Sequence, residues 1–115
     1  MINRSTLQRS TFNIVAEIER QLIEIDEFLK RISPATREAI LDVAGKKLGR
    51  IYNALGVLLE DLRRENVSSG ELAKIDLYQR NIMAFKLSLR TKTTLELLVI
   101  MKGFKERFEE IFVNK

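Results

Sequence analysis

Val15, Ile18, Leu22, Ile25, Leu29 and Ile32 follow one another at intervals of 3, 4, 3, 4 and 3 residues. That spacing is a heptad seam, and it predicts a long first helix over about residues 6–32, packed nearly parallel to its neighbours as in a bundle. Ser33-Pro34 reads as an N-cap followed by proline at the first helical position, opening a second helix that runs to about Glu65. The segment from Asn66 to Gly70 breaks the pattern. Ser68 and Glu71 then form a capping-box pattern at the start of a third helix, which runs to about Arg90. Thr93 and Glu96 repeat that pattern and open a fourth. No alternation of apolar and polar residues reads as a strand. With connections this short, consecutive helices are antiparallel neighbours, so the expectation is an all-α, up-down-up-down four-helix bundle occupying residues 1–115 as one domain.

Two helices carry more pattern than a bundle needs. In the second, Gly45, Gly49 and Gly56 fall within about 40° of one another at 100° per residue. Each interior glycine costs roughly 1 kcal/mol of helix stability relative to alanine, so a glycine face implies close approach of another backbone. Gly45 and Gly49 do not make a phosphate loop, because no strand precedes them and no Gly-Lys-Ser/Thr follows. The third helix has two apolar stripes. Ile75, Tyr78, Ile82, Phe85 and Leu89 form one; Ala73, Leu77, Ala84 and Leu87 form the other on the far side. One stripe faces the bundle core. The second requires another partner, and self-association is the simplest account.

Composition narrows the chemistry. The 115 residues include neither cysteine nor histidine. That removes disulfides, Cys/His zinc sites, a cysteine nucleophile, a Ser-His-Asp triad and any imidazole base. Glu24, Asp26 and Glu27 are the densest acidic cluster, but they read as a solvated helix face rather than a metal site. Glu60 is placed for an i,i+4 pair with Arg64. The expectation is a protein with no catalytic residues, no metal and no cofactor. The N-terminal Met-Ile-Asn-Arg-Ser-Thr lacks an apolar signal region, and the longest apolar run, Leu97 to Met101, is far short of a bilayer span. A cytoplasmic protein without membrane contact is expected.

Charge supplies a functional direction. The net charge is +4, and the stretch from Lys74 to Lys92 holds five basic residues against one acidic. A basic segment attracts polyanions, of which nucleic acid is the commonest in cytoplasm. The candidate phosphate contacts are Lys46, Lys47, Arg50, Arg63, Arg64, Lys74, Arg80, Lys86, Arg90 and Lys92. None carries a sequence-specific signature, so binding to RNA or DNA is expected to be weakly selective and salt-sensitive. Tyr52 and Tyr78 are candidate stacking rings, although both also sit on apolar stripes, and the six phenylalanines read mostly as core.

A small, basic, four-helix chain with Ile32-Ser33-Pro34 after its first helix, Arg64-Glu65-Asn66 ending its second, and a third helix running from Leu72-Ala73-Lys74-Ile75 to Lys86-Leu87-Ser88-Leu89-Arg90 resembles the accessory variability determinant (Avd) family. These are partners of the reverse transcriptase in diversity-generating retroelements, related to the four-helix proteins encoded in intervening sequences of 23S rRNA genes. The resemblance spans roughly residues 12–115. It implies a homopentameric barrel with a basic surface, no catalytic activity of its own, and binding to reverse transcriptase and its template RNA. Phe104-Lys105-Glu106-Arg107-Phe108 loosely resembles the final helix of HEPN-like ribonuclease toxins. Their chemistry needs an arginine followed by a histidine, so only a degenerate, non-catalytic relative is compatible with this chain. A small helical ribonucleoprotein subunit, acting as a protein-interaction module, is the third alternative.

Overall fold

The computed structural model describes residues 1–114. Its order is β1 (Ile2–Asn3), α1 (Arg9–Leu29), α2 (Arg37–Arg64), α3 (Ser69–Ser88), α4 (Thr94–Ile111) and β2 (Phe112–Val113). Cross-helix contacts fix the directions. Lys47 on α2 meets Glu24 on α1, while Glu65 beyond the end of α2 meets Thr11 near the start of α1. Gly45 lies against Leu89 and Gly56 against Gln79. Tyr78 meets Phe108 while Phe85 meets Phe104, and Arg4 before α1 meets Phe112 after α4 while Asp26 meets Lys105. Every neighbouring pair is therefore antiparallel, and the chain is an up-down-up-down four-helix bundle about 47 Å long.

The heptad seam of α1 forms its core face: Val15, Ile18, Leu22, Ile25 and Leu29 are buried, and Ile32 packs partly against them. They join Leu41, Leu48, Ile51, Leu55, Leu58 and Leu62 of α2 in one continuous core. Each such side chain contributes about 1.5–3 kcal/mol on burial, so the core, not helix propensity, holds these helices. On α3 the stripe Ile75, Tyr78, Ile82 and Phe85 is buried, followed by Leu89 just beyond the helix.

The element ends follow the sequence signals with informative departures. Thr93 and Glu96 form the full reciprocal capping box. At Ser68 only half of it forms: the Ser68 hydroxyl accepts from the Glu71 amide at 3.3 Å, while the Glu71 carboxylate turns instead to the N-terminal ammonium of Met1. Ser33 does not open α2 directly. It caps a turn through Pro34-Ala35-Thr36, its carbonyl accepting from Thr36 and Arg37 amides, and α2 proper begins at Arg37. Asn66 takes a positive φ of 61°. The Val67 amide then bonds to the Leu62 carbonyl and the Asn66 amide to that of Arg63, which closes α2 as a Schellman motif with asparagine in glycine's usual place.

The expectation of no strand is corrected at the termini. Ile2 and Asn3 pair in parallel with Phe112 and Val113. Buried Arg4 locks this clasp: its guanidinium donates to the Phe112 carbonyl at 3.2 Å and pairs with Glu19 at 2.8 Å, over the Phe108 ring at 5.3 Å from the centroid. Two residues are too few to show a period of two, which is why the pattern does not reveal the pair.

Candidate nucleic-acid interface

The glycine face of α2 is a packing face, as its spacing implies. A Cβ on Gly45 would sit 3.6 Å from Leu89, one on Gly49 3.3 Å from Lys86, and one on Gly56 3.3 Å from Gln79. The absent side chains let α3 lie close, and they let two polar α3 side chains cross the α2 backbone. Gln79 donates to the Tyr52 carbonyl at 2.9 Å. The stem of Lys86 lies against Gly49, and Lys46 and Arg50 are exposed on the adjoining face of α2.

The fold sorts the ten basic candidates. Six have carboxylate partners. Lys47 is largely covered and pairs with Glu24 at 2.9 Å. Arg63 pairs with Glu60 at 2.8 Å, Arg64 with Asp61 at 3.3 Å, Lys74 with Glu71 at 3.6 Å and Arg80 with Asp76 at 2.7 Å. Arg90 bridges to Glu38 and Asp42 across the seam. Glu60 thus takes Arg63 rather than Arg64, an i,i+3 pair in place of the i,i+4 pair expected. Exposed pairs of this kind are worth under about 1 kcal/mol, so they temper positive potential rather than fix structure. Lys46, Arg50, Lys86 and Lys92 have no carboxylate within ion-pair distance among the described residues. Lys86 lies at the α2–α3 seam against Gly49, and Lys46 and Arg50 are exposed on the adjoining face of α2. The basic excess written along Lys74–Lys92 is therefore partly neutralised in space, and of the ten candidates Lys46, Arg50, Lys86 and Lys92 keep their charge uncompensated.

The second stripe of α3 is solvent-facing. Ala73 and Ala84 are exposed, Leu77 is 53% exposed and Leu87 75%. Beside it, α3 and α4 touch least of the neighbouring helix pairs. They are joined by rings: Tyr78 meets Phe104 edge-on at 5.5 Å, and Phe85 meets Phe104 at 5.4 Å. A hollow of about 290 Å³ opens between them, lined by Lys74, Leu77, Tyr78, Arg107, Glu110 and Ile111. Leu95 and Val99 add further exposed apolar surface on α4.

Neither tyrosine is a free stacking platform. Tyr78 is buried, its hydroxyl donates to the Phe104 carbonyl at 2.8 Å, and burial pushes its phenol far above the ordinary value. Tyr52 packs partly against the core. Of the phenylalanines, Phe85, Phe108 and Phe112 are core, Phe104 is partly buried, and Phe12 is exposed. Phe28 is different: it is half-buried on α1 with the Arg31 guanidinium and Lys47 ammonium each 5.8 Å from its centroid. The sequence hint was the Phe28–Arg31 spacing of three, which places both on one face.

The acidic cluster is not a plain solvated face. Asp26 is buried. Burial alone would raise its pKa, but hydrogen bonds from Lys30 at 2.9 Å and Lys105 at 3.2 Å outweigh that and hold it below the ordinary value. Glu24 is likewise lowered by the Lys47 hydrogen bond. Among the described residues no three Asp or Glu side chains converge as a metal site, and no helix is long and apolar enough to cross a membrane. No protein-family model, no curated protein and no solved structure matches the chain.

Proposed function

We propose that this protein is a non-catalytic, self-associating subunit that binds nucleic acid, RNA foremost, through the α2–α3 face and serves a reverse transcriptase, in line with its resemblance to the Avd family. The observation that carries the binding reading is that Lys46, Arg50 and Lys86 are basic and without carboxylate partners, Lys86 lying against Gly49 and the other two exposed on the adjoining face of α2. The exposed stripe Ala73, Leu77, Ala84 and Leu87 supports self-association. The reverse transcriptase and the pentamer rest on the resemblance. A cytoplasmic location suits such a role. Five chains at +4 each would carry 5 × 4 = +20, turning a modest field into a strong polyanion attractor.

Two measurements test this. Changing Lys46, Arg50 and Lys86 together to alanine lowers affinity for all RNA sequences alike, and flattens the dependence of log affinity on log salt by about 0.7–0.9 for each phosphate no longer neutralised. Unchanged affinity and slope would refute the binding face. Leu77→Glu places an unpaired charge in the proposed interface and reduces particle mass in light scattering to that of a monomer. A wild-type chain that is already monomeric would overturn self-association and favour a simple ribonucleoprotein subunit.

A further inference from the structure

The groove between α1 and α2 holds a hollow of about 350 Å³ lined by Ile23, Glu24, Glu27, Phe28, Arg31 and Lys47. Its chemistry is mixed in a particular way. Phe28 and Ile23 supply an apolar wall. Arg31 is exposed and has no carboxylate within ion-pair distance among the described residues. Lys47 is held by Glu24 at 2.9 Å, and Glu27 is exposed at the rim. On α2, Lys46 and Arg50 are exposed on the face between Gly49, which meets α3, and Lys47, which meets Glu24 of α1, so this basic face adjoins the hollow.

We infer that this hollow is a stacking subsite for one unpaired base of single-stranded nucleic acid, with Phe28 as its platform. The inference rests on the nucleic-acid reading above and adds which form of nucleic acid is preferred. Aromatic rings beside a basic track bind single strands because every base has a π-face, whatever its sequence. A guanidinium that lies over the Phe28 ring can equally lie over a stacked base or take the adjoining phosphate. The exposed Glu27 carboxylate accepts from base N–H groups, Glu24 being already held by Arg20 and Lys47, and both carboxylates repel phosphate. They therefore place the base inward and the backbone outward, toward Arg31, Lys46 and Arg50. A duplex keeps its base faces stacked and has nothing to insert.

The test compares a short single-stranded oligoadenylate with a blunt RNA duplex. Phe28→Leu keeps apolar bulk but removes the ring. It weakens oligoadenylate binding by about 10-fold, within the range of one base–aromatic stack, and leaves duplex affinity and both salt slopes unchanged. Phe28→Tyr retains binding. The chain has no tryptophan, so Phe28→Trp introduces a sole indole reporter, whose fluorescence is quenched by oligoadenylate and not by duplex. Equal loss on both ligands, no loss on either, or no quenching overturns the subsite while leaving the basic face intact. Failure of the wild-type chain to bind either RNA overturns the subsite and the nucleic-acid reading together.

Discussion

The two seams flanking α3 are built in opposite ways. Against α2 the helix lies close on a glycine face, and its polar side chains cross the neighbouring backbone: Gln79 to the Tyr52 carbonyl, Lys86 over Gly49. Against α4 it stands off, bridged by Tyr78, Phe85 and Phe104, with a hollow left open beside Leu77. Close approach removes apolar surface from water without large side chains, and it leaves the outer rim free for charge. Ring bridging spans a wider gap and leaves apolar surface unfilled. One seam thus carries lysine and glutamine across a glycine face, while the other leaves Leu77 and its neighbours as exposed apolar surface.

Removing a ring from the open seam has the largest expected effect. Tyr78→Ala deletes a fully buried aromatic and costs about 3–5 kcal/mol in chemical denaturation. Tyr78→Phe keeps the ring and loses only the bond to the Phe104 carbonyl, costing about 1 kcal/mol. If the two variants cost the same, the seam is held by that hydrogen bond rather than by ring packing.

A third seam, α1 against α4, gives a pH test of intermediate size. Asp26 holds Lys105 of α4 as well as Lys30 of its own helix. Its folded pKa lies below its unfolded value, so its stabilisation is complete above the ordinary carboxylate value of about 4 and is lost as pH falls through the folded value. Asp26→Asn removes hydrogen bonds to charged groups, worth about 1.5–3 kcal/mol near neutral pH. The difference between the two proteins should shrink as the buffer is acidified below the folded pKa. A difference constant with pH would mean that the ion pairs contribute nothing and only packing changed.

These seams were unequally legible in the sequence. Periodicity and caps revealed the helices, because the heptad seam and the Thr93–Glu96 box are local features. The glycine face was readable from spacing within one helix. The pairing of Arg63, Arg64, Lys74 and Arg80 with carboxylates three or four residues away was in principle readable too. The partners of Lys47 and Arg90 were not, since Glu24 and Glu38 are brought near only by the antiparallel packing. The Phe28 hollow and the terminal clasp are likewise products of tertiary approach, and the clasp is too short to leave a pattern.

Alanine at two glycines separates the seams most finely. Gly103 lies in α4 and is exposed, and a Cβ there meets nothing within 4 Å. Gly103→Ala therefore collects the full helix-propensity gain, about 1 kcal/mol of added stability. Gly56→Ala collects the same gain on α2, but its Cβ arrives 3.3 Å from the Gln79 amide nitrogen that donates to Tyr52. The amide must shift by a few tenths of an ångström, and a half-buried hydrogen bond weakened in this way offsets up to about 1 kcal/mol. The net effect at Gly56 is expected near zero, with thermal unfolding midpoints of the two variants differing by several degrees. Equal stabilisation at both positions would show that Gln79 yields freely and that the close seam does not depend on the glycine. A clear loss at Gly56 would show that the seam depends on this side chain's bond across the α2 backbone more than on helix propensity.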